Sequence, residues 1–404
     1  MRCLALLPLA LVAACAGAAA SPRGQPIVIV TPGTPEGPTA APSARPIAKA
    51  SASAIAPSVK PMAAVTQLAA RNDVTCARLA DGAVRCWGSN MFNVVSNDFA
   101  PLGATAVRRP KIIADLPPVA EVVLGPAHAC ARLDDGTVRC WGTDDGTLGL
   151  GTPLPPGPPP RTDKPMPVLG LRGVTSLTSY RHLCALLADK SVPCWADYDS
   201  GNGDPRDAGS RVPVVVPGFA GAVQISDGGN LSCARLGTGQ VKCWSDVSPG
   251  LIPRGKVRPD AFNVAVKDVA SVVGGESGAC AITTSAGVTC WGQVPFESSV
   301  PVLTAARPVA GLHDVVALAL GQDLACAIVR SGDVLCDDAS GYRQGHVPTK
   351  VAGVSGAVEI VVGASHACAR KADGTVLCWG SNDEGQLGDG TTIKSRATAA
   401  PVSW

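Results

Sequence analysis

Fourteen of the 16 cysteines of this 404-residue chain fall into pairs with one spacing, C-x9-C. The pairs are Cys76/Cys86, Cys130/Cys140, Cys184/Cys194, Cys233/Cys243, Cys280/Cys290, Cys326/Cys336 and Cys368/Cys378. In the second pair the intervening residues read Ala131-Arg132-Leu133-Asp134-Asp135-Gly136-Thr137-Val138-Arg139, and Trp141-Gly142 follows. Asp-Gly between two β-type runs signals a hairpin turn. If Leu133 and Thr137 flank a three-residue loop, Gly136 takes the left-handed position and Cys130 faces Cys140 across the strands. Facing residues lie about 4.5–5.5 Å apart, within the Cα range of a disulfide. Each bridge would close a short loop worth about 2.5–3 kcal/mol in chain-entropy terms. Zinc is the competing use of paired thiols, but it prefers C-x2–4-C spacing with a second pair close by.

The pair is a marker for a longer unit. Returns start near Val65, Val119, Val174, Ala222, Val269, Val315 and Ala357, and successive first cysteines lie 42–54 residues apart. Periods of this length belong to propellers or solenoids. In the last unit, Val358-Glu359-Ile360-Val361-Val362 is apolar with one charge, Gly363 ends it, and Ala372-Asp373-Gly374 separates two further β-type runs. Short runs bounded by Gly, Pro and Asp, without a helical period, read as strands and turns.

The repeat resembles that of the regulator of chromosome condensation family. The residues that carry the resemblance are Gly363-Ala364-Ser365-His366, the Asp-Gly turn, Trp379-Gly380 and the run from Ser381 to Gly390. The second unit matches through Gly125-Pro126-Ala127-His128, Trp141-Gly142 and Gly146-Thr147-Leu148-Gly149-Leu150-Gly151. The resemblance covers roughly residues 65–404 and implies an all-β, seven-bladed propeller, each blade a four-stranded sheet packed on its neighbours. The paired cysteines are similar to those of exported bacterial variants of the repeat. Other units are eroded: Asp189-Lys190-Ser191 at the third turn, Leu236-Gly237-Thr238-Gly239-Gln240 at the fourth, and Asp337-Asp338 in place of Trp-Gly in the sixth. Ring closure needs the chain ends to meet, and Val65–Leu68 and Pro401–Trp404 are the expected meeting strands. The resemblance implies action through protein–protein contacts. The known examples, nucleotide exchange on a small GTPase and inhibition of a β-lactamase, do not carry over, because their contact residues have no identifiable counterpart here.

The N-terminus has a different character. Residues 1–15 hold one arginine, an apolar run and then Val12-Ala13-Ala14-Cys15, the layout of a lipoprotein-type signal peptide ending at the lipobox Cys15. The run is too short to span a bilayer, whereas two or three acyl chains on Cys15 anchor stably. Cleavage near Ala18-Ala19-Ala20 with free secretion is the alternative. Residues 16–64 are rich in Pro, Ala, Ser and Gly, a composition that buries no core and suits a disordered linker. The domain expectation is therefore signal peptide 1–15, linker 16–64 and propeller 65–404. An even set of cysteines behind an export signal points to an oxidising compartment: an outer-membrane-anchored lipoprotein, or a secreted protein.

Net charge is +2 with no dense Lys/Arg cluster, which argues against nucleic acid as a partner. His128, His182 and His366 invite a metal reading, but recurrence at one repeat position favours a structural contact. The acidic loops Thr143–Gly146 and Asn382–Gly385 lack the ordered ligands of a calcium loop, and turn hydrogen bonds account for them. Trp87, Trp141, Trp195, Trp244, Trp291 and Trp379 sit on the strand face opposite the cysteines, where they would pack between blades. No G-x-S-x-G, P-loop or H-E-x-x-H occurs, so neither catalytic residues nor cofactors are expected. Partner surfaces are sought in the longest insertions, Asn90–Pro110, Thr152–Pro167, Asp197–Arg211 and Trp244–Pro259. The expected function is a monomeric binding scaffold for a protein or envelope ligand, with the membrane reached by the lipid anchor alone. The alternatives are a polysaccharide-directed hydrolase or lyase with its site at the channel mouth, or a surface spacer.

Overall fold

The recurring unit folds into seven antiparallel four-stranded sheets, each made from one contiguous stretch of chain in the strand order 1-2-3-4. The computed structural model describes residues 62–96, 106–153, 155–180, 182–195, 211–229, 231–244, 261–294, 306–338 and 347–404. The signal peptide, Cys3, Cys15 and nearly all of the linker lie outside them. The first strands of the seven blades begin at Val65, Val119, Val174, Ala222, Val269, Val315 and Ala357, the seven starts expected from the repeat. Blade one is built from Val65–Arg71, Val74–Leu79, Val84–Ser89 and Ala106–Ile112; blade seven is built from Ala357–Val362, His366–Lys371, Val376–Ser381 and Ser395–Pro401. Among the described residues no helix is long and apolar enough to cross a membrane.

The hairpin follows the spacing argument. Leu133 N–H donates to the Thr137 carbonyl at 2.9 Å and Gly136 N–H to the Leu133 carbonyl at 3.0 Å, with Gly136 at φ 74°. Since Leu133 and Thr137 form a hydrogen-bonded pair, Cys130 and Cys140, three places along, form a non-hydrogen-bonded one, where strands approach most closely. They face each other in register and are bonded, with Cα atoms 4.1 Å apart. The other six pairs repeat this arrangement. Eroded turns keep the geometry without the glycine: Lys190 and Ala286 hold the left-handed position at φ 69° and 62°.

Because strand faces alternate, each blade presents its disulfide to the following blade and its tryptophan to the preceding one. Cys76 and Cys86 share a core with Trp141, Cys130 and Cys140 with Trp195, and Cys184 and Cys194 with Trp244. Cys233 and Cys243 pack with Trp291, and Cys326 and Cys336 with Trp379. Cys368 and Cys378 close the ring against Trp87. Burying one indole removes on the order of 200 Å² from water, about 5 kcal/mol before ordering costs. The seam between blades five and six is the exception. It has a disulfide, Cys280–Cys290, and aliphatic residues only, with buried Asp337 at the tryptophan position.

Every first strand carries a β-bulge at its second residue, as between Val65 and Gln67 or Ala357 and Glu359. The next residue reaches sideways to the neighbouring blade. Gln67 accepts from Val122 N–H and donates to Val122 C=O, both at 3.0 Å. Gln224 does the same to Val272. Glu121 accepts from Leu177 N–H at 3.1 Å and Glu359 from Leu68 N–H at 3.0 Å. Where this clasp exists, the residue paired across the strand is arginine (Arg78, Arg132, Arg235, Arg370); in blades three, five and six the positions hold Ser176, Ser271 and Ala317 opposite Leu186, Ile282 and Ile328.

Two expectations need correction. The chain ends do not pair as strands: the first and last blades are separate sheets. They close face to face, with Val65, Leu68 and Val402 in one core and Trp404 edge-on to Trp87 at 5.7 Å. Two insertions are also shorter than expected, because Ala106–Ile112 and Arg161–Pro167 are fourth strands. An outermost strand tolerates proline on its free edge, which is why Pro110, Pro165 and Pro167 did not prevent pairing.

Candidate binding face and channel mouth

Strand order alone sorts the connections onto two faces. One face carries the Asp-Gly-type turns and the short links between blades. The other carries the turns joining strands one and two, around the channel, and the connections joining strands three and four, outside them. All four insertions expected to form a partner surface are third-to-fourth connections, so all leave from the same face. Residues 97–105, 196–210 and 245–260 within them lie outside the described residues.

The described connections also cap the ring. Gln386 C=O accepts the Trp87 indole N–H at 2.9 Å, Val94 C=O that of Trp141 at 2.9 Å, and Thr147 C=O that of Trp195 at 3.0 Å. Leu148 and Leu387 beside these carbonyls are fully buried. The acidic side chains are engaged by their own loops. Asp145 accepts from Thr147 N–H and O–H, and Asp389 accepts from Thr391 and from Arg396 Nε at 2.7 Å. Asn382 accepts from Leu387 N–H. These are Asx-type turns, in which a short side chain stands in for backbone.

The histidines clamp adjacent blades. His128 Nε2 shares a hydrogen bond with Ser179 Oγ at 2.9 Å, and His366 Nε2 with Thr75 Oγ1 at 2.7 Å. Burial holds both imidazoles neutral, with pKa values pushed down to about 4. His182 meets the next blade by a different contact, edge-on to Trp244 at 4.7 Å.

The chemistry that sequence reasoning missed lies in the inner turns. Arg71, at the end of the first strand of blade one, lays its guanidinium carbon 3.8 Å above the centre of the Tyr180 ring in blade three. Its Nη2 donates to Ser179 C=O at 3.5 Å, and its Nε is buried without a partner among the described residues. Asp227 and Glu276, from blades four and five, supply opposing charge to this guanidinium, which burial would otherwise make costly. Asp227 is 3 % exposed. Its Oδ1 accepts from Ser232 O–H at 2.5 Å, and its backbone N–H donates to Thr178 Oγ1 at 2.7 Å. Its Oδ2 is buried without a hydrogen-bond partner among the described residues. Burial pushes the Asp227 carboxyl up to about 6, against the pull of His182, Ser232 and Arg71. Gly229 leaves room for this packing: a Cβ there would stand 3.0 Å from Tyr180 Cε1 and 3.3 Å from Glu276 Cγ. The four residues cluster at the end of the first strand or in the turn after it, at offsets that differ by up to two residues from one unit to the next. Aligning the units sets Tyr180 and Glu276 against Pro126, Gln322 and Ala364 of other blades, but places Asn72 and Gly229, not Arg71 and Asp227, at that position, so no single column of the repeat marks the set.

Seven contiguous sheets around an axis, each stapled by one cross-strand disulfide, define a β-propeller of the seven-bladed class. Residues 119–147 and 357–386 match one form of the Regulator of chromosome condensation (RCC1) repeat, and residues 373–403 match a second form, so the second and seventh blades are RCC1 repeats. The fold is similar to yeast RCC1 (Prp20) bound to Kap60, with TM-score 0.68 and 18% identity over 84% of this chain and 85% of that one. It is also similar to Prp20p of Saccharomyces cerevisiae, a protein described with its binding to Gsp1p and histones (TM-score 0.67, 18% identity, 85% and 88% covered). Human WBSCR16 is similar at TM-score 0.64 and 17% identity, with 80% and 94% covered. No curated protein matches the chain in sequence. At these identities the structural likeness establishes the fold.

Proposed function

We propose that this chain is a non-enzymatic binding propeller, exported and held at a bacterial envelope through acylated Cys15, which captures a protein or envelope ligand on the face bearing the long connections. The observation that carries the reading is the confinement of length variation to one face. The links between blades and the Asp-Gly-type turns are uniformly short, whereas the third-to-fourth connections run from 10 residues (339–348) to 18 (196–213) and differ in composition, as in the Pro-rich Thr152–Pro160 stretch. A rigid ring with one varied face is how loops on a scaffold acquire partners. Seven disulfides fit an oxidising compartment. The similar propellers described with Kap60, Gsp1p and histones are binders of proteins, which supports the class of activity and not the partner.

An enzyme at the channel mouth fits less well. The Ser232 hydroxyl donates to Asp227 rather than to an imidazole, and both residues are buried, which is not the exposed serine–histidine arrangement of a nucleophilic hydrolase. Asp227 is buried and its charge is offset by Arg71, which already occupies the space a substrate would need. The reading is tested by capture from envelope extracts with the wild-type propeller and with two variants. One replaces residues 153–159 by a short Gly-Ser segment; the other alters the opposite face at Asp135 and Arg172. Capture lost with the first and kept with the second is the expected result. Loss with the second alone overturns the assignment of the face.

A further inference from the structure

The inner turns of blades three, four and five form a pocket whose chemistry is specific. Tyr180 supplies an aromatic face, Asp227 a buried carboxylate with one oxygen unpartnered among the described residues, and Glu276 a second carboxylate packed near Tyr180 across Gly229. Aromatic face plus flanking carboxylates is the recognition chemistry of a planar cation. In this structure the pocket is filled by Arg71, which arrives from blade one, two blades away around the ring. Its fit is incomplete. A guanidinium bound by a carboxylate ordinarily makes two parallel hydrogen bonds, yet Arg71 reaches a backbone carbonyl at 3.5 Å and the Tyr180 side chain, and its Nε has no partner among the described residues. The occupant satisfies the ring face and leaves both a donor and the Asp227 Oδ2 acceptor unused. A residue tethered to a strand end can stack over Tyr180 without reaching the carboxylate in bidentate geometry; a side chain arriving along the channel axis is not so constrained.

We propose that the Tyr180–Asp227–Glu276 pocket at the channel mouth is a binding site for the guanidinium group of a partner's arginine side chain, and that Arg71 is its resident occupant in the free chain. The inner turns that form it lie on the face carrying the long connections, so the site deepens the reading above and rests on it. The partner is thereby specified by chemistry: a protein or peptide presenting arginine. Lysine is a poorer match because a compact ammonium cannot both stack on the ring and engage a carboxylate with two donors.

The test uses the propeller carrying Arg71→Ala, with N-acetyl-L-argininamide as probe and N-acetyl-L-lysinamide as comparison, read by calorimetry and by saturation-transfer NMR of the probe. The expected result is saturable binding of the arginine probe at least tenfold tighter than to the wild type, where Arg71 competes. It should fall at least tenfold on adding Asp227→Asn, and the lysine probe should bind more weakly than the arginine probe. Absence of saturable binding, or equal binding with and without Asp227→Asn, overturns the proposal. Should Arg71→Ala fail to fold, Arg71→Gln, which keeps the start of the aliphatic stem and a planar polar end group, is put through the same comparison. Failure here is distinguishable from failure of the function above, since the small probe touches none of the outer connections and loop-dependent capture from extracts does not need Arg71 replaced.

Discussion

Replacing Glu359 by alanine should loosen the ring where the chain ends meet. Glu359 Oε1 is the acceptor for Leu68 N–H across the seam, and Oε2 accepts from Arg370 Nε at 2.6 Å on its own blade. Leu68 is 3 % exposed, so its amide has no ready access to water once the carboxylate is gone. An unsatisfied buried amide costs about 1–3 kcal/mol, and a part-buried ion pair adds about 1 kcal/mol. The total is about 2–4 kcal/mol. For a unit of roughly 340 residues the unfolding entropy is on the order of 0.7 kcal/mol per kelvin, which converts this into a Tm loss of about 3–6 °C. Glu359→Gln keeps an acceptor for Leu68 and loses only the charge, for about 1 kcal/mol or less. Ser271→Ala occupies the equivalent position in blade five and removes no side-chain hydrogen bond found among the described residues, so it should lie within about 0.5 kcal/mol of wild type. Scanning calorimetry of the oxidised protein decides the matter. A Glu359→Ala variant melting within 1 °C of wild type, or a Glu359→Gln variant falling as far, would refute the clasp.

Two further expectations rest on the structure and a third on the proposed anchor. Ala286→Gly relieves a left-handed residue at φ 62° and should stabilise by about 0.5–1 kcal/mol, raising Tm by about 1 °C. His128 and His366 titrate near pH 4 when folded and near 6.5 when unfolded, so the unfolded chain binds more protons between those values and stability falls as pH drops through that window. Asp227, raised to about 6, works in the opposite direction, and Asp227→Asn should therefore steepen the acid loss in urea titrations taken from pH 7 to 4. Cys15→Ser should move the full-length protein from the membrane fraction to the soluble periplasmic or culture fraction; retention in membranes would remove the lipid anchor from the proposal.

The fold was legible because its determinants are local and repeated. The C-x9-C spacing, the Asp-Gly turn and the apolar run before each hairpin lie within one unit, so seven start points could be read without knowing how the units meet. The sideways reach of Glu359 was half visible, as one charge inside an apolar strand, but its acceptor role depends on Leu68, 291 residues away. The Arg71 pocket was hidden for the same reason. Its members come from blades one, three, four and five and share no spacing that the period would flag, and only closure of the ring brings them together. The extent of the outer strands was misread because proline marks a break in a central strand and is tolerated at an edge.

The strictly neighbouring bridges have a consequence for how such a chain reaches its folded state. Each cysteine of the propeller pairs with the next one in sequence, never across a blade boundary. A chain threaded through a membrane from its N-terminus and oxidised as it emerges therefore needs no reshuffling, because the first available thiol is always the correct partner. That order of events tolerates no unmatched thiol upstream of Cys76. Cys3 would leave with the proposed signal peptide, and Cys15 would then be one unless its sulfur is already engaged, so acylation there would both hold the protein at a membrane and keep the count of free thiols even.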